Sequence, residues 1–135
     1  MTHNSKKLSN ISIPISLGEL IDKITILEIK KVYMTGKKLK NVEKELQILQ
    51  YILKYQDLEI DMNLMNKLKE VNNDLWKIED SIRIKEINQE FDNDFIQLAR
   101  SVYKVNDLRA AIKKEINEKY NSELVEEKSY NDYSI

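Results

Sequence analysis

Residues 75–117 read LWKIEDSIRIKEINQEFDNDFIQLARSVYKVNDLRAAIKKEIN, and their periodicity predicts two amphipathic helices joined by the turn NQEFDND. Successive residues of an α-helix lie about 100° apart, so positions spaced by three and four share a face. Leu64, Leu68, Val71, Leu75, Ile78 and Ile82 alternate four and three, a coiled-coil-like seam. Asn72, Glu79, Arg83 and Glu86 sit along its edge, with Glu79 and Arg83 at the i,i+4 spacing of a helical ion pair. In the second helix the seam is Phe95, Leu98, Val102, Val105, Ile112 and Ile116, and Arg109 stands where an apolar residue is due. An arginine in an apolar stripe has to be paired, or has to reach water along its stem. Glu28 and Glu79 are its predicted partners, with Asn106 and Lys113 within one turn.

On either side of this stretch, residues 1–10 are expected to be a disordered leader and 11–135 a single helical domain, with a C-terminal tail from about 121. Ile11 to Ile15 forms a short extended segment, because Pro14 steers its predecessor away from helix. Ser16 and Glu19 then form a capping box that starts helix 1, which runs to about Met34. Leu17, Leu20, Ile21, Ile24, Leu27 and Val32 make its apolar face, Glu28 falls inside that face, and Glu19, Asp22, Lys23 and Lys30 are assigned to the opposite side. Ile26, Ile29 and Tyr33 lie outside the main face, which predicts a central helix or one at an oligomer interface. Thr35-Gly36 is its stop. Helix 2, from 39–41 to Tyr55, and helix 3, from Leu64 to Asn88, carry matching seams across a short connection and are expected to form a long antiparallel hairpin. Asp92 caps helix 4, with Phe91 and Ile96 as a hydrophobic staple. The fold class is therefore all-α, a bundle of about four main helices.

Composition narrows the function. The 135 residues suffice for one core. With 22 basic and 23 acidic residues the net charge is −1, which offers no long-range field to nucleic acid or an anionic membrane. The absence of cysteine removes disulfides, thiolate ligands and thiol nucleophiles. The lone histidine, His3, lies in the leader. No apolar run approaches a membrane span and the N-terminus lacks a signal-peptide core, so a cytoplasmic protein is expected, without nucleic-acid or membrane partners.

Glu28, Trp76, Glu79, Arg83, Asn106 and Arg109 are the candidate ligand-binding residues. If they converge, they make a polar pocket for a small anionic or sugar-like ligand, with arginines as bidentate donors; if they close on one another, they make an ion-pair network that fixes helix register. Trp76 can stack on a ligand ring or pack under a neighbouring helix. No cofactor, metal or catalytic residue is predicted under this reading. The alternative is a small metal-dependent nucleotide pyrophosphohydrolase, which needs carboxylates on neighbouring helices. Glu19 with Asp22 and Glu123 with Glu126 give the required spacing only in part. The lysines from Lys30 to Lys44 read as solvated charge near a helix end. Helix 1, apolar beyond one face, and the long hairpin seams together predict a homodimer.

Four segments carry a family resemblance: IPISLGELIDKITILEIK at 13–30, LWKIEDSIRIKE at 75–86, FIQLARSVYKVNDLRAAIKKEIN at 95–117 and SELVEEKSY at 122–130. Together they resemble a bacterial and phage-borne family of unknown function, domain-of-unknown-function family 6165. The resemblance implies no particular activity. Its members tend to lie near, or be fused with, glycosyltransferase and surface-polysaccharide genes, which implies a link to glycan assembly by association alone. It draws attention to Glu28, Trp76, Glu79, Asp80, Arg83, Arg100, Asn106, Asp107, Arg109 and the 126–130 tail.

Overall fold

The computed structural model describes residues 8–129, in which α1 (Leu17–Tyr33), α2 (Gly36–Lys54), α3 (Met62–Ile87) and α4 (Asn93–Lys119) are the regular elements. Residues 1–7 of the expected leader and 130–135 of the tail lie outside the described residues. No strand occurs among the described residues, and the architecture is an all-α bundle. None of the helices is long and apolar enough to cross a membrane.

Each helix starts on a side-chain or backbone device legible in the chain. Ser16 Oγ accepts from the Glu19 amide at 3.1 Å, but the reciprocal half of the capping box is not made, because the Glu19 carboxylate turns to Lys113. Two residues, Met34 and Thr35, separate α1 from α2, and Gly36 at φ +62° opens α2 with the left-handed backbone such a reversal needs. Glycine here starts the second helix instead of trailing the first. Asp61 caps α3 through the amides of Asn63 and Leu64, and Asp92 caps α4 through Phe95 at 2.9 Å. Phe91 packs edge-on against Phe95, with ring centroids 5.3 Å apart, and Ile96 remains exposed. The staple therefore closes one residue earlier than expected.

Helix pairing differs from the expected long α2–α3 hairpin. α2 lies along α1 and makes no close backbone approach to α3; α3 pairs instead with α4 as the long antiparallel hairpin. Only the facing ends of α2 and α3 share packing, through Leu53 and Met65. The cause is in α1, whose apolar surface wraps well past one face. Leu20, Ile24 and Leu27 bury against Val42 and Leu46 of α2, while Ile21 buries against Leu64 and Leu68 of α3 and Ile116 of α4. The central helix predicted from its all-round apolarity separates the two elements that share matching seams.

α1 covers only one end of the α3–α4 hairpin. The last buried residue of α3 is Leu75 and the first of α4 is Lys113. Beyond them, residues 77–104 form a two-helix arm that extends α3 by about 18 Å, at 1.5 Å per residue, past that core.

A buried ion-pair cluster and three clefts

The polar centre of the bundle is Asp22. Gly18, Asp22, Thr25 and Ile29 are spaced four, three and four along α1, and all four are buried. Gly18 sets how near α4 can come: a Cβ there would lie 2.5 Å from the Lys113 carbonyl. Close approach brings two donors of α4 onto Asp22. Its Oδ1 accepts from Arg109 Nε at 2.9 Å, and its Oδ2 accepts from the second guanidinium nitrogen, completing a bidentate pair. From α3, Asn72 Nδ2 donates to Asp22 Oδ1 and to Thr25 Oγ1, each at 2.9 Å. Thr25 in turn donates to the Asp22 carbonyl at 2.8 Å.

Lys113, one turn beyond Arg109, extends the cluster toward the tail. Its ammonium lies 2.6 Å from Glu19, 2.9 Å from Glu126 and 3.8 Å from Asp22. Burial pulls this ammonium toward neutrality, but hydrogen bonds to Glu19 and Glu126 and the charge of Asp22 outweigh it, holding Lys113 above the ordinary lysine value. The hydrogen bond to Asp22 likewise raises Arg109. Glu126, bonded first to Lys128 and then to Lys113, is pushed down to about 2. Every buried side-chain nitrogen and oxygen among the described residues has a partner.

The same region closes the N-terminus of α1. Its first three amides are satisfied by Ser122 Oγ at 3.1 Å, Asn117 Oδ1 at 2.7 Å and Ser16 Oγ at 3.1 Å. Two of those three acceptors come from the far end of the chain. At the opposite corner, the Tyr120 hydroxyl accepts from the Asp61 amide at 2.6 Å and donates to the Glu59 carbonyl at 2.9 Å, and Lys119 pairs with Asp61. The α2–α3 loop is thus tied to the end of α4.

The six candidate residues do not share one cavity. Arg109 meets a carboxylate as its seam position requires, but the partner is Asp22, not Glu28 or Glu79. Glu28 points to α3 and pairs with Lys69 at 2.8 Å. Trp76 is half-buried and stacks on Tyr33, with ring centroids 5.2 Å apart and planes 19° apart. Glu79 and Arg83 are exposed on the arm, past the reach of α1. Asn106 is half-buried on α4, one turn before Arg109. Asp22, assigned from the sequence to the outer side of helix 1, is instead fully buried. The Gly18–Asp22–Thr25 spacing signals it, because a glycine and small polar residues recurring at heptad distance mark a face built for close helix approach.

Three of the clefts among the described residues flank this frame. One of about 450 Å³ lies between the C-terminal half of α1 and α3, lined by Glu28, Val32 and Tyr33 opposite Asn66, Lys69 and Asn73. One of about 570 Å³ runs along the arm beside Ile84 and Leu98. A third, about 220 Å³, lies between α4 and the tail, beside Lys113 and Glu126. Among the described residues, no three acidic or histidine side chains are placed to hold a metal ion. Where Glu19, Asp22 and Glu126 converge, the Lys113 ammonium occupies the centre.

No curated protein and no solved structure matches the chain. A family profile does, over residues 11–134, and the chain belongs to that family of unknown function, DUF6165.

Proposed function

We propose that the chain is a non-catalytic binding or scaffold module, cytoplasmic and linked to surface-glycan assembly, that acts as a homodimer and takes a small anionic or sugar-like ligand. The observation that carries the dimer is the arm. Ile84, Ile87, Phe91 and Ile96 are 51%, 78%, 54% and 51% exposed there, on a hairpin whose inner seam is only half-covered. A second copy of the arm is the fitting occupant. Residues 77–104 carry five basic and six acidic side chains, so two arms meet without net repulsion, and seam pairing would turn two open hairpins into a four-helix bundle. α1, in contrast, is covered by the other three helices, so the dimer no longer draws on its apolar surface.

The pyrophosphohydrolase is the second reading; Glu19, Asp22 and Glu126 gather around Lys113, but not in an arrangement that would hold a metal ion. It fits less well, because a magnesium ion at that point would have to displace Lys113 and compete with Arg109 for Asp22.

Sedimentation velocity across a dilution series tests the module: the wild type is expected to be a dimer, and Ile84→Lys with Ile87→Lys a folded monomer. A wild-type monomer at high micromolar concentration removes the dimer. Magnesium-dependent turnover of a nucleotide panel, lost in Glu19→Gln, would establish the hydrolase instead.

A further inference from the structure

The α1–α3 cleft has a polar wall on its α3 side. Where α3 faces the end of α1, the positions spaced three, four and three are Asn66, Lys69, Asn73 and Trp76. The equivalent spacing one face over is the apolar seam. In this stripe Lys69 and Trp76 tie α3 to Glu28 and Tyr33 of α1, whereas the amides of Asn66 and Asn73 carry no hydrogen bond to protein. Opposite them, Tyr33 is 52% exposed and Val32 is 78% exposed. Trp76 backs the Tyr33 ring from behind, which fixes its plane and leaves its other face available.

The geometry points to a carbohydrate subsite in this cleft, taking a neutral pyranose ring against the free face of Tyr33. A pyranose presents an apolar C–H face that packs on an aromatic ring and a rim of hydroxyls that both donate and accept. Asn66 and Asn73 supply both kinds of group, and the Glu28–Lys69 pair adds a charged acceptor beside a charged donor. At about 450 Å³ the cleft has the size of a small-ligand site. Charge selects a neutral sugar, since Glu28 and Glu70 face it against Lys69 alone. This deepens the binding-module reading and rests on it for the sugar-like ligand, but not on the arm or the dimer.

Trp76 is the only tryptophan, and it stacks on the Tyr33 ring that lines the cleft, so its emission reports on occupancy through that ring. The intact chain is titrated with maltotriose, cellotriose and chitotriose up to millimolar concentration, with glucuronic acid as the charged comparator. A saturable change in emission with at least one neutral oligosaccharide is expected. Tyr33→Ala and Asn73→Ala should each weaken it about tenfold or more at unchanged melting temperature, and Lys44→Ala on the far helix should not. Conservative Tyr33→Phe should retain binding, which separates loss of the ring from loss of fold. No saturable change with any of the three, tighter binding of glucuronic acid, or calorimetric binding that survives Tyr33→Ala each overturns the subsite. A monomeric protein that still passes this titration removes the dimer alone, and nucleotide turnover removes the module reading whatever the titration shows.

Discussion

The base and the arm of the α3–α4 hairpin use the same seam and end in different states. From Leu64 to Ile82 the spacing of α3 is unbroken, yet Leu64, Leu68 and Leu75 are buried whereas Ile78 and Ile82 are only half so. On α4, Ile116 is 1% exposed while Phe95, Leu98, Val102 and Val105 stay half-covered. Periodicity defines a face; a third element decides whether that face becomes a core. At the base the third element is α1, and the arm has none. The base also spends its polar residues where the arm does not: Asp22, Asn72, Arg109 and Lys113 hold three helices in one register, whereas Glu79 and Arg83, equally well spaced, stay in solvent.

The largest effect is expected from Asp22→Ala, which strips the shared acceptor from Arg109, Lys113 and Asn72; loss of one member of a buried pair typically costs about 3–5 kcal/mol. Denaturant unfolding gives the number, and Arg109→Met added to Asp22→Leu should recover part of it. A loss under about 1 kcal/mol for Asp22→Ala would mean that the base is not held by this cluster. Next comes the same truncation at two seam positions. Leu68→Ala, at 0% exposure, should cost about 2–5 kcal/mol, and Leu98→Ala in the arm clearly less, with a deficit that grows on dilution if arms pair. Equal costs would erase the distinction between base and arm. Gly18→Ala follows at about 1–3 kcal/mol, because its methyl must push against the Lys113 carbonyl. The smallest effect is at Glu126. Its carboxyl is depressed from 4.5 to about 2, so its contribution is complete above about pH 4.5 and lost as pH falls toward 2. Its side chain is 40% exposed, so solvent screens most of the stabilisation. Acid titration followed by NMR should show the Glu126 side-chain signals shifting with a midpoint near pH 2, below the ordinary carboxylate range, and Glu126→Gln should remove the dependence.

Much of the fold was legible because helices announce themselves locally. Ser16 and Asp92 act as the predicted caps, the four helix spans agree to within a few residues, and the all-round apolarity of α1 correctly marks it as central. Pairing was not legible, since α2 and α3 carry compatible seams and only the wide apolar surface of α1 decides which seam it occupies. The same limit governs the polar centre. The position of Arg109 in an apolar stripe demands a carboxylate, but spacing alone does not distinguish Asp22, Glu28 and Glu79. Asp22 prevails because Gly18, one turn earlier, lets the α4 backbone come close. Glu28 belongs to a different cleft, beside the Tyr33 ring on which Trp76 stacks, and that separation depends on the crossing of α1 over α3, which no local pattern encodes.

The amides that open α1 are met by Asn117 and Ser122, residues placed 99 and 105 positions later in the chain. This has a consequence for the order in which a nascent chain can become native. During synthesis α1 emerges first and α4 last, so the central helix has to wait with two unsatisfied donors and an uncovered Asp22 until the final helix arrives. The α3–α4 hairpin, closed by a turn of five residues between Ile87 and Asn93, needs no other helix to bring its two seams together and can zip from that turn on its own schedule. A chain cut before residue 117 should therefore retain helical hairpins but fail to melt cooperatively, with α1 amides exchanging their hydrogens at nearly unfolded rates. The last turn of the last helix is what completes the first.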